Sequence, residues 1–201
     1  MIVLAGPSGS GKSRLAGRLA DAFGWPTLRL DDFYKDAGDD TLPLITHGKN
    51  KGLVDWDHPD SWRRDDALAA LVRLCRTGAV DVPVYSISES RHTGTEHLRL
   101  GDAPYFCAEG IFAADVVEPL REAGVLAAAY CITQHPAKTF WRRLTRDLRE
   151  HRKPPLVLLW RGLALARAQR DVVRRAVAAG CRVATGDEGF SELEAGHAVA
   201  R

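Results

Sequence analysis

The chain has 201 residues, with 28 basic against 26 acidic side chains and a formal net charge of +2. Apolar residues make up 45% and charged residues 27%, which excludes a wholly disordered chain, a collagen-like fibre and a membrane bundle. A charge this balanced creates no global field for a polyanion, so nucleic acid is not expected as a partner.

Cys75, Cys107, Cys131 and Cys181 stand far apart, and none forms a C-x-x-C pair. A zinc site, a redox dithiol or a disulfide framework is therefore not expected, and a reducing cytoplasmic setting is. The apolar run Met1–Gly6 has no basic segment before it and does not read as a signal peptide. No stretch of 18 apolar residues occurs, so no membrane partner is expected.

Ile2–Ala5 reads as a strand. The run Gly6-Pro7-Ser8-Gly9-Ser10-Gly11-Lys12-Ser13 that follows matches G-x-x-x-x-G-K-S. Lys12–Phe23 then shows an apolar stripe at Leu15, Ala16, Leu19, Ala20 and Phe23, which predicts a helix ended by Gly24 and Pro26. In such a strand–loop–helix unit, glycines let the backbone wrap phosphate oxygens with inward amides, and the helix start adds partial positive charge. Gly6, Ser8, Gly9, Ser10, Gly11, Lys12, Ser13 and Arg14 are thus the expected ATP cradle. Lys12 would reach the β- and γ-phosphates, and the Ser13 hydroxyl would ligate Mg²⁺. GTPases, motor ATPases and small-molecule kinases all share this loop, so other residues must discriminate.

Thr27–Asp31 reads as a second strand, which aims Asp31 from a strand end toward the loop, where a carboxylate can take a proton from an attacking hydroxyl and help hold Mg²⁺. Asp32–Pro59 reads as a long functional loop. Within it, Asp55 and Asp57 flank Trp56, Asp60 is the expected cap of a helix through Cys75, and Asp57 would then accept from a ligand's vicinal hydroxyls. Val80–Tyr85 is strand-like, and Ser86–Asp102 is polar and irregular. Tyr105–Cys107 reads as a short strand whose end presents Glu109 to the same crevice. A helix over Val116–Ala123 and an apolar strand over Val125–Ile132 follow. Pro136–Arg152 is predicted helical and basic, with Arg142, Arg146 and Arg149 on one face, Arg143 beside it, and Arg152 and Lys153 further on. Pro154–Ala179 carries another helical run, and Arg182–Ala184 a last strand, after which Thr185-Gly186-Asp187 is a candidate, on position alone, to border the adenine. Strands alternating with helices predict β-α-β units and a mostly parallel sheet covered on both faces.

Six stretches in order resemble the uridine kinase family of P-loop nucleoside kinases: Gly6–Ser13, Asp31–Tyr34, Asp57–Asp60, Pro83–Arg91, Glu109-Gly110-Ile111 and Arg142–Asp147. The resemblance implies a three-layer α/β P-loop NTPase fold, one domain over residues 1–201 and a helical lid around residues 141–165. It implies Asp31 as general base toward a primary hydroxyl, with Tyr34, Asp57, Tyr85, Arg91 and Glu109 as further acceptor contacts. It also implies Ser13, Asp31 and Glu109 around Mg²⁺, and Arg143 and Arg146 as lid cations on the transferred phosphoryl group. ATP and a small-molecule acceptor are the implied partners, with room for a homo-oligomer. The match departs from the family in one turn. Tyr85-Ser86-Ile87-Ser88-Glu89-Ser90-Arg91 is one residue shorter, with Glu89 where the family has a base-reading histidine and His92 at a different offset. A carboxylate there favours a ligand that offers donors. Asp31-Asp32-Phe33-Tyr34 replaces Asp-Ser-Phe-Tyr. Other acceptors (pantothenate, phosphoribulose, a sugar) stay open, as does a nucleotide-binding regulator, although no Asn-Lys-x-Asp guanine motif occurs.

Overall fold

A computed structural model of the chain describes residues 1–48, 50–134 and 170–199. Strands β1 (Ile2–Ala5), β2 (Thr27–Arg29), β5 (Cys107–Glu109), β6 (Ala128–Ile132) and β7 (Arg182–Ala184) form a five-stranded sheet in the order β2-β5-β1-β6-β7. Every pairing in it is parallel. Parallel strands need covered crossovers, and the helices supply them: α1 (Lys12–Phe23), α2 (Arg64–Thr77), α3 (Val117–Glu122), α4 (residues 170–178) and α5 (Gly186–Val199).

The alternation along β1 decides the layers. Ile2 and Leu4 point to one face with Leu15, Leu19, Trp25, Ile132 and Leu193, so α1 and α5 cover that side. Val3 and Ala5 point to the other, with Leu71, Leu74, Leu120 and Ala176, so α2, α3 and α4 lie there. This is the expected three-layer α/β arrangement, with helices on both faces of a mostly parallel sheet.

Several elements differ from their sequence reading. The second strand stops at Arg29, and Leu30–Phe33 forms a single 3₁₀ turn, so Asp31 leaves the turn rather than the strand. The helix begins at Arg64 rather than Asp60. Asp60 lies in a short 3₁₀ turn whose cap is His58, with the Asp60 N–H donating to His58 Nδ1 at 3.2 Å. The Val80–Tyr85 strand is β3 (Ala79–Ser86), but it stands outside the main sheet. It pairs antiparallel with β4 (Arg91–Arg99), which the polar Ser86–Asp102 segment concealed. β4 is mostly exposed, so it carries no apolar alternation to read. Glu109 is the last residue of β5 rather than a residue beyond it. The chain after Ala184 forms α5, where Thr185 and Glu188 exchange backbone-to-side-chain hydrogen bonds as a capping box. The basic helix and most of the Pro154–Ala179 run lie outside the described residues.

Candidate active site

The C-terminal ends of β1, β2 and β5 meet at one corner of the sheet. The loop leaving β1 turns on three glycines with positive φ: Gly6 at 133°, Gly9 at 81° and Gly11 at 104°. Gly6 admits no side chain, because a Cβ there would lie 2.3 Å from the Ile132 carbonyl oxygen. The loop is thus pressed against β6 at Gly6. Lys12 is buried, and its Nζ donates to the carbonyls of Gly6 (2.9 Å) and Pro7 (3.1 Å). The ammonium is therefore held over the loop, at the helix start where anions bind. Ser10 is fully buried, with no hydrogen-bond partner for its Oγ among the described residues. Ser8 is half-buried, and Arg14 is exposed on α1.

The Ser13 hydroxyl donates to Glu109 Oε1 at 3.0 Å across the crevice. Glu109 is only 6% exposed. Burial pushes its carboxyl above the ordinary range; the nearby Lys12 ammonium works against that shift, and the Asp31 charge adds to it. Asp31 is seated beside it, with its Oδ1 accepting the Ile111 N–H at 3.1 Å. Gly110 makes this seat possible: a Cβ there would lie 2.8 Å from Leu30 Cβ and 3.0 Å from Asp31 Oδ1. One corner thus holds an ammonium, a hydroxyl and two carboxylates on oxygen-rich backbone. Hard oxygen donors of this kind suit Mg²⁺. Among the described residues no group of three or more His, Cys, Asp or Glu is arranged to hold a metal alone.

Beside this corner lies an aromatic wall. Tyr34 meets Trp56, Tyr85 and Phe112, each with ring centroids 5.9 Å apart, and Phe112 stacks on Trp62 at 5.6 Å. Trp56 places the Asp55–His58 turn next to Tyr34, and half-buried Asp57 is tied into it by its own N–H donating to Asp55 Oδ1 at 3.2 Å. Tyr85 is buried, and burial pushes its hydroxyl up to about 12. The hydroxyl therefore stays protonated and donates to the Lys35 carbonyl at 3.1 Å. The turn expected to read the acceptor is engaged with itself: Glu89 pairs with Arg91 and accepts from Ser86 Oγ at 3.4 Å. Both charges are on the surface. Asp187 pairs with Arg18 at 2.6 Å on the surface, and Thr185 caps the helix that follows. Arg143 and Arg146 lie outside the described residues.

The steric role of Gly110 under Asp31 arises only from the β2–β5 contact, which the local sequence does not show. Asp36 and His92, 56 residues apart in the chain, meet at 2.8 Å.

Residues 1–152 match the family model described as Phosphoribulokinase / Uridine kinase family. The chain belongs to the phosphoribulokinase/uridine kinase family. Among curated relatives of this family, a uridine kinase of Haemophilus influenzae (strain PittGG) is 31% identical over 160 residues, covering 75% of this chain and 69% of that protein. A uridine kinase of Schizosaccharomyces pombe (strain 972) is 32% identical over 153 residues, 73% of this chain. The match spans about a third of the S. pombe protein, 31%. Among solved structures, a fructose transport system kinase candidate from Silicibacter sp. TM1040 superposes with a TM-score of 0.59 at 18% identity, covering 92% of this chain and 86% of that one. At that identity it shows the fold alone. Among the described residues no helix is long and apolar enough to cross a membrane.

Proposed function

We propose that the chain is a Mg·ATP-dependent kinase that transfers the γ-phosphoryl group to a primary hydroxyl of a small molecule, with a nucleoside as the first acceptor to test. The observation that carries this reading is the meeting of Lys12, Ser13, Glu109 and Asp31 at the C-terminal ends of three neighbouring strands. The loop amides and Lys12 hold the phosphates and neutralise charge as it develops on the transferred group. Ser13 and Glu109, with Asp31 nearby, would hold Mg²⁺, which would supply further charge neutralisation at the phosphates. Asp31 orients the acceptor hydroxyl and accepts its proton. Tyr34, Tyr85 and Trp56 supply an aromatic lining for the acceptor, with Asp57 for its vicinal hydroxyls.

A second acceptor class is favoured by one observation. The Glu89–Arg91 pair occupies the turn where uridine kinases read a base, so a sugar or another small alcohol such as pantothenate competes with a nucleoside for this reading. The deciding experiment is a screen of acceptor-dependent ADP release against nucleosides, sugars and vitamins. ADP release that no acceptor stimulates would favour a nucleotide-binding regulator and overturn the kinase reading.

A further inference from the structure

The segment that follows Asp31 is stitched to the turn end of the β3–β4 hairpin. The Tyr85 N–H donates to Asp32 Oδ1 at 3.3 Å and its hydroxyl to Lys35 O at 3.1 Å. The Ala37 N–H donates to Ser90 O at 2.8 Å. His92 closes the seam: its backbone N and its ring Nδ1 each lie 2.8 Å from the same atom, Asp36 Oδ1. An ionised carboxylate only accepts, so Nδ1 carries the proton in this contact. The opposite ring nitrogen faces the Asp32 carbonyl at 3.2 Å, and the imidazole edge meets the Tyr85 ring at 5.3 Å and 80°.

The seam matters because of where the hairpin stands. β3–β4 does not join the main sheet, and two paired strands alone are marginal in water. Val80 and Val82 bury the base of β3 in the core, but β4 is mostly exposed and lends the turn end little support. The turn end, with Tyr85 and Arg91, therefore takes its position from residues 32–37, which continue directly from Asp31. A bulge between Val84 and Tyr85 re-aims the strand at this point.

We propose that Asp36 and His92 are positioning residues that clamp the turn end of the hairpin to the segment carrying Asp31, so that the acceptor-contacting wall and the acid keep one fixed spacing. The inference rests on the reading of Asp31 as the acid and Tyr85 as an acceptor contact. Both clamp side chains are partly exposed, at 44% and 24%, so the pair is worth little to overall stability, and its loss acts locally.

The test compares Asp36→Ala, His92→Ala and Asp36→Asn with the wild type, reading backbone amide exchange over residues 84–92 and steady-state kinetics with uridine or the best acceptor of the screen. Asp36→Ala and His92→Ala should speed exchange there about tenfold and raise the acceptor KM about tenfold, leaving the KM for ATP and acceptor-free ATP hydrolysis within about twofold. Asp36→Asn keeps the accepting Oδ1 and should restore both readouts to within about threefold of wild type. Unchanged exchange, a parallel rise in the KM for ATP, or an Asp36→Asn variant as impaired as Asp36→Ala would each overturn the clamp. Wild-type protein that phosphorylates no acceptor would instead overturn the kinase reading, and the exchange comparison alone would then decide the clamp.

Discussion

Glu109 shows how a single residue trades stability for a site. Its carboxylate is buried, and desolvation outweighs the help of Lys12 and of the Ser13 hydroxyl. Its pKa is thus raised above the ordinary value of 4.5. The native state then binds a proton more readily than the unfolded chain, so this group favours folding at low pH. That contribution fades as pH rises from 4.5 through the raised value. Glu109→Gln removes the buried charge and keeps an oxygen for Ser13. It should raise the Tm at pH 7 by about 2–4 °C, flatten the pH dependence of Tm above 4.5 and lower turnover. A variant less stable than wild type at neutral pH would contradict this account. Lys12 and Asp31 are tested through catalysis instead: Lys12→Ala and Asp31→Asn should each lower turnover at least ~100-fold with circular dichroism unchanged. Wild-type-like rates in either would remove that residue from the proposed chemistry.

The informative elements are the loop after β1 and the hairpin. The loop's shape depends on Gly6, where positive φ and the Ile132 carbonyl both exclude a side chain. Gly6→Ala should cost about 2–3 kcal/mol and weaken ATP binding, measured by denaturant unfolding and calorimetry, because the strained residue pushes the loop away from β6. Much of this loop was legible in the sequence, since three glycines, a lysine and a serine at fixed spacing describe a backbone path by themselves. The hairpin was not. Val80–Tyr85 announced a strand through its apolar residues, whereas Arg91–Arg99 is mostly exposed and offers no apolar period to detect. The partner of β3 is set by main-chain hydrogen bonds, which leave no mark on composition.

For the whole molecule, binding and folding are linked. A ligand that occupies only the native loop stabilises the chain by about 2.7 kcal/mol at a hundred times its Kd, which for a chain of this size means a Tm rise of about 5–10 °C. Mg·ATP should produce such a shift in a thermal melt, and Lys12→Ala should abolish most of it. A wild-type melt indifferent to Mg·ATP would argue against the loop as a nucleotide site. The layered α/β architecture could be read from the sequence alone, because short apolar runs separated by amphipathic stretches have few other ways to bury themselves. So could the phosphate loop, whose determinants lie within eight consecutive residues. Only the tertiary structure decided which distant residues share the corner with it. Glu109 reaches Ser13 because β5 inserts between β1 and β2, and Asp31 is seated because Gly110 leaves it room. Strand order and close backbone approach are properties of the packed chain, and local sequence carries neither.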